Sequence, residues 1–201
     1  MTDVRSISAS RYFALTSEHV VAQGFWIVTF ALATALGAQL EIPHQPVPYT
    51  FQTFFVILAG GMLGRRNALL SMTLYLTAGV LGAPVFSGGG FGLAKLLGPT
   101  GGYLIGFPFA ALLISSLISL RPGLATRDKG GLRNYLLTYG WTCLAVTSGL
   151  LLVFLAGTIQ LNAVYFHNWS ASFQSGFLIF SWWDLLKLAA ATTICVELRR
   201  S

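Results

Sequence analysis

Charge is scarce in this sequence. Only 9% of its 201 residues are charged, whereas 55% are hydrophobic. A soluble globular domain carries about 25% charged residues. The composition therefore excludes a soluble catalytic domain of ordinary size and predicts an integral membrane protein. Because a helix needs about 20 apolar residues to cross a bilayer, the chain has room for about six spans in one membrane domain.

Cysteine and histidine are also rare, with two and three copies. Cys143 and Cys195 lie in apolar segments without metal-ligand spacing, so we interpret them as packing residues and predict no metal site. An intramembrane serine protease of the rhomboid type needs a histidine at the membrane depth of its serine. His19, His44 and His167 all lie near expected loops, which argues against that activity.

A nucleotide-binding motif is missing as well. The phosphate loop reads G-x-x-x-x-G-K-[ST], and the stretch GGGFGLAKLLG has the glycines without the motif, because Lys95 is followed by leucine. The sequence therefore predicts that the chain is not an enzyme, does not hydrolyse ATP and needs no cofactor.

Six apolar segments predict an all-α membrane protein with six transmembrane helices. Residues 1–19 are expected to form a polar cytoplasmic tail, and residues 20–201 a single six-helix membrane domain. A cleaved signal peptide is the alternative for the first segment, since Ala35-Leu36-Gly37 is a small-x-small pattern, but the length of the segment favours a retained helix. The predicted spans cover residues 20–40, 53–64, 67–86, 103–120, 135–157 and 177–196.

Three of the connections between these spans have distinctive compositions. IPHQPVPYTFQ (42–52) has three prolines within six residues, which forbids a regular helix and predicts a structured loop or an extended segment. SGGGFGLAKLLGPTGG (87–102) is expected to be a long glycine-rich loop. Residues 158–176 are expected to be a loop whose aromatic residues suit the membrane interface.

The positive charges set the topology. The net charge is +6, which in a soluble protein would suggest a nucleic-acid partner, but lysine and arginine gather in the cytoplasmic loops of membrane proteins. Ten of the twelve lysine and arginine residues lie in the termini and in alternate connections between spans. This distribution predicts six spans with both termini in the cytoplasm. It also favours a multi-pass protein of the cell membrane over a protein with a nucleic-acid partner. These ten are Arg5, Arg11, Arg65, Arg66, Arg121, Arg127, Lys129, Arg133, Arg199 and Arg200.

Two opposite charges interrupt the sixth segment. Asp184 and Lys187 are three positions apart, so they share a helix face and can interact. Counted from Phe177, they are expected roughly 10 and 15 Å below the outer boundary. Each charge costs about 2.5–3.5 kcal/mol at a helix centre, and charges retained in a span usually serve function.

Three interpretations of this pair remain open. It could be an ion pair that only locks the bundle, a proton or ion relay, or a ligand cage. A carboxylate accepts N–H hydrogen bonds and an ammonium donates them, so the two together suit an anionic ligand or a neutral ligand with donors and acceptors. Nearby aromatic residues could pack on such a ligand or belong to the interfacial belt. They are Phe86, Tyr103, Trp182 and Trp183.

Several stretches together resemble the BioY family, the biotin-specific substrate-binding S components of energy-coupling factor (ECF) transporters. They are PVPYTFQTFFVILAGGMLG, LGAPVFSGGGFG, LLGPTGGYLIGF and WDLLK, and the resemblance covers about residues 20 to 195. It implies a six-helix membrane protein that captures biotin at its outward face. Thiamin or riboflavin as the vitamin, and a stand-alone ion-coupled carrier, are the alternatives.

The resemblance also implies a binding site. Asp184 would accept from a ureido N–H of biotin, and Lys187 would donate to the ring carbonyl or balance the valerate carboxylate. The loop of prolines would act as a lid. Apolar walls would come from Phe86, Tyr103 and the tryptophans, Trp183 among them, and the backbone N–H groups of Gly88, Gly89 and Gly90 would approach the ligand closely.

Finally, the resemblance implies partners besides biotin and membrane lipid. They are a transmembrane coupling protein of the EcfT type and two ATPase subunits. Ala31 and Ala35 on the first span have the small-xxx-small spacing that lets helices pack closely in lipid, and in the family such alanines contact the coupling protein. Packing within the chain is the alternative.

Overall fold

A computed structural model describes residues 20–120, 131–178 and 182–200. The tail 1–19 and most of the basic connection after residue 120, with their predicted cytoplasmic charges, lie outside the described residues. The helices are α1 (Val20–Gln39), α2 (Gln52–Met62), α3 (Arg65–Val80), α4 (Leu93–Leu97), α5 (Gly101–Ser119), α6 (Gly131–Leu161), α7 (Trp169–Ser172) and α8 (Trp182–Arg200); the strands are β1 (Glu41–Ile42) and β2 (Tyr49–Thr50).

A long helix lies in each of the six apolar segments, namely α1, α2, α3, α5, α6 and α8. Three are long and apolar enough to cross a membrane: α1, α5, and α6 with its continuation to Phe166. At 1.5 Å per residue, α2 with its 11 residues measures about 16 Å, roughly half of the bilayer core.

The core of the bundle lies around α5, which packs against α2, α3 and α6. Helix α8 completes the bundle by packing against α2 and α6. The contact between α2 and α8 is close, because Gly61 faces the buried sulfur of Cys195 and a methyl group at Gly61 would overlap it. This contact supports the interpretation of Cys195 as a packing residue.

The proline-rich connection after α1 is an extended hairpin. Strands β1 and β2 pair in antiparallel register, with Glu41 opposite Thr50 and Ile42 opposite Tyr49. An extended segment was one of the two forms predicted from the prolines. Helix α2 begins directly after β2, so the hairpin lies at the first end of α2 and the pair Arg65–Arg66 follows its other end.

One predicted boundary is wrong. Helix α3 ends at Val80, not at residue 86, since Gly82 adopts a φ of 107° and Pro84 lacks the N–H that a helix needs. The predicted glycine-rich loop after it is not wholly irregular, because it contains the short helix α4.

The predicted loop 158–176 is also largely helical. Helix α6 runs on to Leu161 and continues as a π-helical turn over Asn162–Phe166, which is followed by α7 and a second π-helical turn over Phe173–Phe177. Asn168 caps α7, because its side-chain oxygen accepts from the N–H groups of Ser170 and Ala171 at 2.9 and 3.3 Å. Phe177 thus ends a turn instead of starting the sixth span.

Candidate functional site

The Asp184 carboxylate and the Lys187 ammonium form a buried ion pair. Lys187 Nζ lies 2.6 Å from Asp184 Oδ1, and the two residues are only 8% and 4% exposed. Asp184 occupies the first turn of α8, where the helix dipole favours a negative charge. The pair therefore lies nearer the start of its helix than the count from Phe177 predicted.

Lys187 also reaches across to the hairpin and α2. Nζ donates to the carbonyl oxygen of Thr50 at 3.1 Å and to the hydroxyl oxygen of Thr53 at 3.0 Å. With Asp184, three acceptors surround Nζ, as many as an ammonium has hydrogens. The lysine is therefore fully engaged within the chain.

A cavity lies beside this pair. It measures about 60 Å³, which is room for about four water molecules at 10–15 Å³ each. Both charged residues line it, together with the hairpin and residues of α2, α5 and α6. The alternative of an ion pair that only locks the bundle predicts no such space, so the geometry favours a ligand cage.

Aromatic and aliphatic side chains also line the cavity. Tyr103 lines the cavity, and its hydroxyl donates to the carbonyl oxygen of Gly176 at 2.8 Å, which holds the ring in place. Phe107, Val153 and Phe154 line it too. The cavity thus has both polar and apolar lining residues, as an amphipathic ligand requires.

Sequence reasoning missed Gln52, which lines the cavity from the first turn of α2. Its side-chain oxygen accepts from the Thr50 hydroxyl at 2.7 Å, and its amide nitrogen donates to the hydroxyl of Tyr75. That hydroxyl donates to the carbonyl oxygen of Val85 at 3.1 Å. The signal was present, since Gln52 is a polar residue at the start of an apolar helix.

The glycine-rich loop approaches the cavity through Ser87, not Phe86. Phe86 is 0% exposed; its ring packs on Gly79 and meets Tyr75 edge-on with centroids 5.6 Å apart. It does not line the cavity, whereas Ser87 does. The predicted ligand contact of Phe86 therefore stays a prediction that would need this ring to move.

The three glycines have defined places in the loop. Gly88 and Gly89 adopt φ values of 65° and 67°, which favour glycine. The N–H of Gly89 donates to the side-chain oxygen of Gln39 at 3.1 Å, and the N–H of Gly90 to Ser87 at 3.2 Å. The N–H groups of Gly89 and Gly90 thus donate to acceptors of the protein itself. The predicted contacts of the three glycines with the ligand stay predictions.

Three further predicted residues lie away from the cavity. Trp183 is 44% exposed and does not line it, while the side chain of Trp182 lies outside the described part of the chain. Ala31 is 7% exposed, so it packs within this chain, as the alternative to partner docking expects. Ala35 is half-buried. Docking by these two alanines stays a prediction.

Comparison with known proteins identifies the family. The model of the BioY family matches residues 9–201. The chain belongs to the BioY family. This confirms the resemblance found in the sequence motifs. Two relatives align with most of the length of this chain.

The biotin transporter BioY of Thermotoga maritima is 34% identical over 171 residues, which cover 85% of this chain and 92% of that protein. A probable biotin transporter BioY of Pyrococcus horikoshii is 36% identical over 173 residues, with 86% and 93% covered. A solved structure, the S-component for biotin from an ECF-type ABC transporter, superposes with a TM-score of 0.78 at 26% identity, covering 90% of this BioY chain and 92% of that one.

Proposed function

We propose that this chain is the biotin-binding membrane subunit of an ATP-driven ECF-type vitamin uptake transporter and captures biotin at the extracytoplasmic face. The observation that carries the proposal is the buried Asp184–Lys187 pair in the wall of a cavity. Relatives that are named biotin transporters, and the S-component for biotin as structural neighbour, support it. Biotin enters as the transported substrate and not as a cofactor.

The chemistry of biotin suits the polar and apolar residues that line the cavity. Its ureido ring offers two N–H donors and one carbonyl acceptor, and its thiophane ring and alkyl tail are apolar. We assign a ureido N–H to Asp184, because a carboxylate accepts strong hydrogen bonds from N–H groups. Lys187 holds that carboxylate in position, and it donates to the ring carbonyl only by releasing Thr50 or Thr53.

We further propose a single membrane domain over residues 20–201 with six spans and both termini in the cytoplasm of a cell-membrane protein. The positions of the charges support this topology. Arg65 and Arg66 are exposed at the end of α2 that is remote from the hairpin and the cavity. Arginine in a short loop favours the cytoplasmic side, so the cavity opens to the outside.

The chain itself is proposed to hydrolyse no ATP and to work with a transmembrane coupling protein of the EcfT type and two ATPase subunits. One face of α1 stays apolar and exposed, including Phe25, Leu32 and Leu36. Such a face suits lipid or a neighbouring helix. On this helix Ala35 is more accessible than Ala31, so a partner helix would reach Ala35 first.

A vitamin panel tests the proposed substrate. The purified chain in detergent is heated with biotin, thiamin or riboflavin, and we expect biotin alone to raise its Tm, since a ligand that binds only the native state stabilises it. A rise with thiamin or riboflavin but not with biotin would assign the chain to another vitamin. Biotin uptake into liposomes by the chain alone, abolished by an uncoupler, would instead support the ion-coupled alternative.

A further inference from the structure

A second void adjoins the cavity on its outer side. It lies between the hairpin and the glycine-rich loop and measures about 1,040 Å³ out to open solvent. Pro48 and Ser87 line both spaces, so the outer void, here called the vestibule, meets the cavity at these two residues. A ligand whose head occupies the cavity can extend a tail into the vestibule.

Lys95 supplies a positive charge to the vestibule. It is half-buried and lines the void from α4, with its alkyl stem along Gly90. Within the described residues its ammonium makes no ion pair and no hydrogen bond. Glu41 also lines the vestibule, with one carboxylate oxygen beside Gly88, and among the described residues it forms no ion pair with Lys95. The ammonium is therefore available to an anionic group that enters the vestibule.

The ion pair in the cavity leaves Lys187 unable to serve a carboxylate of the ligand as Lys95 can. Lys187 is surrounded by three acceptors of its own chain, and its charge is compensated by Asp184. A carboxylate placed in the cavity would meet no uncommitted cation among the described residues that line it, and it would repel Asp184. Burying an unpaired carboxylate is costly, so the acid end of an amphipathic ligand belongs where Lys95 is.

We propose that Lys95 forms an outer subsite for a carboxylate and that it pairs with the acid group of the ligand's tail while the head lies beside Asp184. The inference rests on the proposed function, in which the ligand is biotin with its five-carbon acid tail. The tail then passes between Pro48 and Ser87, and Lys95 makes the chain prefer the free acid to neutral derivatives.

The test compares biotin with its primary amide, in which the tail carries no charge. Equilibrium binding is measured to the full chain in detergent and to Lys95→Gln, Lys95→Arg and, as a control, Arg133→Gln, which removes an exposed charge at the start of α6. We expect Lys95→Gln to weaken biotin binding about tenfold and amide binding less than about twofold. Lys95→Arg keeps most of the preference, and the control keeps all of it.

A latch between Lys95 and Glu41 is the competing explanation. If Lys95 acted by pairing with Glu41 over a bound ligand, Lys95→Gln would weaken both ligands equally and Glu41→Gln would have the same effect. Either that result or unchanged biotin binding by Lys95→Gln overturns the subsite while leaving biotin binding intact. A wild-type chain that binds neither ligand overturns the proposed function and the subsite with it.

Discussion

Lys187 on the last helix donates to the carbonyl oxygen of Thr50 at the end of the hairpin, with Nζ and oxygen 3.1 Å apart. The same ammonium binds Thr53 on α2. One side chain thus joins α8, α2 and the hairpin beside the cavity. Lys187 therefore connects the last helix directly to the segment that the family resemblance predicts to be a lid.

Replacing Thr53 by valine tests this junction, because it removes the hydroxyl and keeps the shape. The ammonium then loses one of its three acceptors in a buried place, and the loss of such a partner costs about 1–3 kcal/mol. We expect a lower Tm for Thr53→Val. Thr73→Val is the control, since Thr73 is exposed and its hydroxyl donates only to Leu69 of its own helix. Equal Tm values for the two variants would contradict the junction.

Tyr75→Phe interrupts the hydrogen-bond chain that starts at Thr50 and passes through Gln52. It leaves the amide of Gln52 and the carbonyl of Val85 without their partner. Because both groups lie in the interior, we expect a loss of about 1–3 kcal/mol, measured as a lower Tm. Tyr165→Phe, which alters an exposed ring, serves as the control. A Tyr75→Phe variant as stable as the control would show that these hydrogen bonds contribute nothing to the stability of the protein.

Gly79→Ala tests the position of Phe86. A methyl group at Gly79 would overlap the Phe86 ring, which is fully buried, so we expect a destabilisation of about 1–3 kcal/mol from overpacking. Gly140→Ala on α6 is the matched control, because nothing lies within 4 Å of the added methyl and alanine favours a helix over glycine by about 1 kcal/mol. If Gly79→Ala is as stable as the control, Phe86 is not fixed against α3.

Gln39→Leu releases the glycine-rich loop from α1. Gln39 donates to the carbonyl oxygen of Phe86 and accepts from the N–H of Gly89, each at 3.1 Å. Without these bonds Ser87 is less firmly held at the cavity, and we expect biotin affinity to fall about three- to tenfold with little change in Tm. Gln174→Leu, at an exposed glutamine, should bind as the wild type does. Unchanged biotin affinity in Gln39→Leu would show that the attachment of the glycine-rich loop to α1 does not affect ligand binding.

The sequence predicted the six helices and the partnership of Asp184 with Lys187, because apolar runs and helical spacing are local properties. The environment of that pair was not predictable. Lys187 binds Thr50 and Thr53, which are 137 and 134 positions away, and no local pattern encodes such contacts. The same holds for Phe86, since an aromatic residue beside glycines serves a ligand wall or a helix-packing site equally well.

The helical turns after Leu161 were missed for a different reason. Polar and aromatic residues alternate there, so composition favoured an interfacial loop, while the fold depends on a cap at Asn168 and two π-helical turns. Helix α8 begins at Trp182, so Asp184 lies in its first turn.

Equilibrium binding of radiolabelled biotin to Asp184→Asn and Lys187→Ala tests the central claim most directly. Both proteins are first checked for insertion and for monodisperse elution, because breaking a buried ion pair also destabilises a protein. The account predicts that both variants insert and elute as the wild type does but bind no biotin. Wild-type biotin binding by the two variants would contradict it.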